Sequence, residues 1–241
     1  MSWSEDGKSF SINDKKVILF EFTQLHKEVV DAVAVRTALL MLGWTLVVNL
    51  SKVKDDLTCN ITGWSFMQAK DNGLQLAYKQ LLQKAWDLSA GMAANGCWKM
   101  APCMKYLDEC TILCGEIFAA VHITAGLPPC GSKGIIVKVQ NTAQVLRNIF
   151  IVNGCMALIF KYNKSHAANN HSFFIVRFLT PKLGQLVFCY LAYIRPFANF
   201  LCKQVGIPQY RSNEFLFPDP KRKQKHMSSV QATAILRHFI L

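Results

Sequence analysis

Acidic residues are missing from the middle of this 241-residue chain: none occurs between Glu116 and Glu214, where ten Lys or Arg stand. Residues 1–116 hold 12 Lys/Arg against 13 Asp/Glu, a net of −1, whereas residues 117–241 hold 15 against 2, a net of +13. The formal charge of +12 therefore belongs to the C-terminal half. A folded half with that balance repels itself unless a polyanion lies nearby. Nucleic acid is the first partner this implies, and an anionic membrane surface the second.

Other absences exclude other classes. No uncharged apolar run reaches the ~18 residues of a membrane span. The nearest, Thr37 to Leu50, is too short and follows Asp31 and Arg36, so a buried helix and no membrane partner are expected. Met1 to Asp6 is polar and acidic with no apolar core behind it, unlike a secretory signal. The nine cysteines, an odd number without regular spacing, are then expected to be reduced and mostly buried, in the cytosol or nucleus. A G-x-x-x-x-G-K-[ST] phosphate loop and a G-x-S-x-G elbow are both lacking, so the usual ATP cradle is absent and no cofactor is expected. No internal repeat is visible.

What is present suffices for a core. Apolar residues make up 51% and charged residues 17%, with 16 Phe, which excludes a disordered chain. Residues 1–16 read as a polar leader and 17–100 as a helical region. Within it, apolar residues at helical spacing run from Gln24 to Leu50 with Gly43 as a bend, a charged loop covers 52–62, and a further helix covers 74–88. Residues 91–102 read as a small-residue connection. Met104 to Ile123 is a strongly apolar helix closed by Gly126-Leu127-Pro128-Pro129. After Gly131 the period changes. Ile149 to Ile151 and Met156 to Tyr162 flank an Asn153-Gly154 turn and predict a β-hairpin, and Phe173 to Leu179 predicts a third strand beyond a polar tip, 165–171. Pro181 opens an apolar helix through Gln204 that Pro196 is expected to kink. Residues 208–225 read as an irregular basic linker and 228–241 as a last helix. The fold expected is a mostly helical α+β protein: a helical N-terminal half, then a small antiparallel three-stranded sheet within a helical half.

Cys97, Cys103, Cys110 and Cys114, with His122 behind them, suggest a metal cluster. Zinc, however, takes ligands as tight pairs, and Cys110 and Cys114 at i,i+4 fit one face of an apolar helix, so buried thiols are expected and no metal. The other histidines (His26, His166, His171, His226, His238) show no ligand or dyad spacing. Pro220 to His226 packs Lys221, Arg222, Lys223 and Lys225 together, which reads as a nuclear-import signal, a phosphate-binding arm or a solvated linker.

The order of parts from Val121 onward carries most information: an apolar helix ending in Val121-His122-Ile123-Thr124-Ala125-Gly126-Leu127-Pro128-Pro129-Cys130-Gly131-Ser132-Lys133, a hairpin with Lys164 at the end of its second strand, then Ile175-Val176-Arg177-Phe178-Leu179 before a proline-started helix. This order resembles the catalytic core of tyrosine recombinases, in the form found in fungal telomere-linked RecQ-type helicase proteins. Gly63 to Gln68, Trp98 to Met100, Arg147 to Phe150 and Tyr190 to Phe197 look like segments of the same family.

The resemblance implies a recombinase-core-like region over 101–207, a basic linker and truncated helix over 208–241, and a nuclear, DNA-associated protein. It would place Lys161, Lys164, Arg177, Lys182, Lys221, Arg222, Lys223 and Lys225 against DNA. It also shows departures. Cys130 stands where the family has an Arg on the scissile phosphate, and Lys133 where it has a Glu. A thiol cannot hold a phosphate as an Arg fork does. No His-x-x-Arg motif occurs, and no tyrosine follows Tyr210. The family's helicase motifs are not here. The chain therefore looks like a degenerate or truncated piece, with no confident catalytic residue and Lys164 as a vestigial candidate. Packing partners for Phe188, Tyr190 and Phe197 would lie further C-terminal, leaving an apolar patch. Three functions stay open: a non-catalytic DNA-associated module, a strand-transfer or topoisomerase-like enzyme using Lys164 with Tyr190, Tyr193 or Tyr210, and the product of a decayed subtelomeric or mobile element.

Overall fold

A computed structural model describes residues 2–13, 15–87, 91–126, 131–162, 173–207, 213–222 and 224–240. The architecture is α+β and mostly helical. In order, β1 (Ser2–Trp3), β2 (Ser9–Ile12) and β3 (Lys15–Ile18) form an antiparallel meander, followed by α1 (Leu19–Leu40) and α2 (Tyr78–Trp86). A short hairpin of β4 (Ala93–Ala94) and β5 (Cys97–Trp98) precedes α3 (Met100–Thr124) and the one-turn α4 (Gly131–Ile135). Then come β6 (Ile149–Val152), β7 (Cys155–Tyr162), β8 (Phe173–Phe178), α5 (Pro181–Cys189), α6 (Arg195–Gln204) and α7 (Ser229–Ile240).

The predicted leader is therefore ordered at the backbone. Ser2 to Ile18 zips into three short strands, because the Ser4 hydroxyl accepts the Ser9 N–H and donates to the Ser9 carbonyl, closing the first turn. The first helix also ends earlier than its apolar pattern suggests. Leu42 and Gly43 take positive φ of 53° and 72° and stop it after Leu40, so Gly43 terminates the helix and does not bend it. Beyond the stop the burial period becomes two: Trp44, Leu46 and Val48 lean on the core while Val47 is 92% exposed.

The core is one continuous cluster running from Val29 to Ala232. Helix α1 lies along α3, where Arg36 bridges Glu109 and Glu116. Helix α6 closes an aromatic set in which Phe197 packs 5.1 Å from Tyr106 and 6.2 Å from Trp98. Phe188, Tyr190 and Phe197, expected to lack partners, are all buried. At Pro196 the structure shows a wide turn: Tyr190–Ile194 is π-helical, and the Arg195 N–H donates five residues back to Tyr190, ahead of the proline that has no N–H to give.

Two helices carry start signals. The Thr180 hydroxyl accepts the Leu183 N–H ahead of Pro181. Ser228 and Gln231 form a reciprocal capping box for α7. The second sheet has the order β6-β7-β8, all antiparallel, with Asn153 and Gly154 both at positive φ in the hairpin turn. The polar tip, 165–171, lies outside the described residues.

Part of the expected basic linker, residues 216–219, is buried in the core. Leu216 and Phe217 are buried, and the Leu216 N–H donates to Val137 while Val139 donates to Glu214. Arg195 clamps the segment with 2.7 Å bonds from its guanidinium to the carbonyls of Asn213 and Phe215. An irregular backbone packed this deeply needs such donors, since it has no ladder of its own.

Candidate nucleic-acid interface

Ten cations without a carboxylate look alike in sequence, but the fold sorts them by burial. Arg147 is wholly enclosed. Its Nη2 donates to Asp55 Oδ1 at 2.7 Å and to the Asp56 carbonyl at 3.0 Å, and its Nε donates to the Ile149 carbonyl. Its guanidinium lies between Trp64 and Phe150, 4.6 and 4.3 Å from the ring centres. Burial pushes the Asp55 carboxyl above its ordinary range and the Arg147 guanidinium below its own, because each charge has lost its water. Arg147 and Arg195 are therefore committed to holding the core together.

Three of the residues expected to face DNA are likewise held elsewhere. Arg177 on β8 points to the inner face of the sheet, where its Nη1 donates to the Ala125 carbonyl at the C-terminal end of α3, 3.4 Å away. Its Nε is buried with no hydrogen-bond partner among the described residues, and burial lowers its pKa. The cation sits at the negative end of a 25-residue helix, which accounts for a charge inside. It lines a small apolar cavity with His122, whose pKa burial also lowers. Lys182 is paired with Asp31 of α1 at 2.6 Å on the surface. Arg222 is held by Asp219, whose carboxylate also accepts the N–H groups of Lys221 and Arg222. Burial pushes the Asp219 carboxyl up, but those bonds and the guanidinium outweigh it and hold the pKa below the usual range.

Lys161, Lys221 and Lys225 are exposed. Lys164, Lys223 and Cys130 lie outside the described residues, as does Tyr210. Lys133, predicted only as a substitution for Glu, gains a location: from α4 its Nζ donates to the Lys161 carbonyl at 3.3 Å, so two ammonium groups share the end of β7. Tyr190 and Tyr193 are buried, Tyr193 edge-on to Trp44 at 5.3 Å with its pKa raised by burial.

The cysteines do not form the suggested cluster. Cys103, Cys110 and Cys114 are buried along α3, but Cys97 is exposed on β5. Among the described residues no group of three or more His, Cys, Asp or Glu is placed to hold a metal ion. No helix of the described residues is long and apolar enough to cross a membrane.

One surface was not anticipated. The register pairs Phe174 with Lys161, Val176 with Ile159 and Phe178 with Ala157, so these share the outer face of the sheet, which is covered at Ala157 and Phe150 and open along β8. Phe174 is 65% exposed, Val176 47% and Phe178 54%. The inner face, with Met156, Leu158 and Phe160, is buried. What this corner offers a ligand is positive charge beside aromatic surface. Neither a family model, nor a curated protein, nor a solved structure matches the chain.

Proposed function

We propose that the chain is a non-catalytic, DNA-associated module of the nucleus, built like a recombinase core that has lost its chemistry. The observation that carries this reading is the +13 balance of residues 117–241, with Lys133, Lys161, Lys221 and Lys225 on or beside the surface. A polyanion relieves that self-repulsion, and condensed counterions released from DNA add the driving force. Loss of catalysis is supported by the sequence, where Cys130 and Lys133 replace an Arg and a Glu, and by the burial of Tyr190 and Tyr193. The descent from a telomere-linked RecQ-type helicase protein belongs to the same proposal and rests on the motif order alone.

The test is fluorescence anisotropy of a labelled duplex titrated with the protein across a salt series. Affinity is expected to be independent of sequence and to fall steeply with salt, by about 0.9 in log–log slope for each phosphate contacted. The Lys221→Ala/Lys225→Ala variant is expected to lower the slope by about 2 without loss of stability, since both side chains are solvated. No binding at ~50 mM salt would sink the proposal.

A further inference from the structure

We propose that the outer face of β8 and the end of β7 is a stacking platform for single-stranded nucleic acid, with Phe174 and Phe178 contacting bases and Lys161 and Lys133 contacting the phosphates beside them. The inference rests on the nucleic-acid reading above and narrows it to one surface and one form of ligand.

The platform follows from register and charge together. Phe174, Val176 and Phe178 alternate along β8 and therefore project to one side of the sheet, joined by Ile159 of β7. Four residues of extended chain put the two rings about 13 Å apart, far enough to serve different bases. Directly opposite Phe174 stands Lys161, and Lys133 reaches the carbonyl of that same residue. From 117 to 213 the chain has no carboxylate, so neither this sheet nor the helices that follow it can oppose a phosphate there. Beyond the far end of β8, Asp31 of α1 is engaged by Lys182.

The form of the ligand follows from what a flat apolar surface can recognise. A duplex keeps its base faces stacked inside and presents phosphates, which gain nothing from exposed Phe and Val. An unstacked strand offers a π-face at every nucleotide and a phosphate between them, the combination that rings next to lysines accept. A second copy of the chain fits less well, because it would bring two +13 halves together across a face without acids.

The experiment compares a labelled oligothymidine of about 12 nucleotides with a duplex of equal length at ~50 mM salt. The single strand is expected to bind more tightly. Phe174→Ala and Phe178→Ala are each expected to weaken it about 5- to 100-fold while duplex affinity changes less than about two-fold. Phe174→Tyr should retain most of the affinity and Phe174→Leu should lose as much as Ala, because the ring face and not greasiness is required. All four side-chain changes lie on an exposed face, so circular dichroism should report an intact fold.

If both ligands bind and the Phe variants change neither, the platform is wrong while the DNA-associated reading stands. If neither ligand binds, both fail. Equal losses for strand and duplex overturn the platform, as the face would then be touching backbone. So would a dimer at micromolar concentration that the Ala variants dissolve. Cosedimentation with phosphatidylserine vesicles that the Ala variants abolish, with oligonucleotide binding unchanged, would reassign the face to a membrane surface.

Discussion

Arg147 shows how strongly one side chain can be committed to the interior. Every polar bond of its guanidinium ends on a protein atom, and its pair with Asp55 joins positions 92 residues apart. Burying two charges gains little over an apolar pair, but removing one leaves the other stranded without water. Arg147→Ala is therefore expected to cost about 3–5 kcal/mol in a denaturant melt, whereas Arg147→Met with Asp55→Leu should cost less than the single change. Equal losses for the single and double variants would mean the pair is held for geometry alone. The composition marked Arg147 as one more positive charge in the basic half. Nothing in a sequence without alignment separates a solvated cation from one buried between Trp64 and Phe150.

The β6-β7 hairpin is the best case of an element readable in advance. Asn153-Gly154 names the turn because both positions need positive φ, and Gly154 has φ +77°. The reason for glycine goes further. A Cβ there would stand 2.4 Å from Ser51 Oγ and 3.1 Å from Ser51 Cα, since the chain after α1 crosses the turn. Gly154→Ala thus meets both a backbone penalty and a clash. A loss of more than about 1 kcal/mol in thermal or urea unfolding is expected, beyond the ordinary cost of alanine at positive φ. A near-neutral variant would show that Ser51 moves aside.

Other elements were legible only in part. Pro181 after Thr180 placed α5, and Pro196 placed a distortion whose π form no local rule supplies. The 44–48 segment kept an apolar content that suits a helix, and only burial reveals that it alternates. The meander at 2–18 has short strands without a buried stripe, so periodicity had nothing to register. The same limit hid the outer sheet face. Strand β8 reads Phe-Phe-Ile-Val-Arg-Phe, apolar on both sides, and cannot say which side meets water.

At the scale of the whole molecule, the charge division and the packing division do not coincide. The near-neutral first half and the +13 second half share one core: α1 lies on α3 and α5, and α2 lies on α6. Ile235 of α7 approaches Gly115 of α3 so closely that a Cβ there would sit 3.1 Å from its Cδ1. The basic half is thus not a detachable arm: its described residues share the core of the first half. That is also why composition divides the charge between the halves without naming which cations reach the surface.

Strand β8 closes one side of its sheet in the order β6-β7-β8, and its outward side chains are Phe174, Val176 and Phe178. An edge of that kind invites pairing with another copy unless a charge guards it, and Arg177 faces inward to α3. In dilute salt the excess positive charge keeps copies apart. At molar salt the screening length shrinks to about 3 Å, and that protection disappears together with the hold on any bound polyanion. The protein is therefore expected to be colloidally stable at low ionic strength and to associate slowly as salt rises, the reverse of simple salting-in. Light scattering across a sodium chloride series should show this, with Val176→Lys abolishing the rise. If Val176→Lys scatters as strongly, association begins elsewhere on the surface.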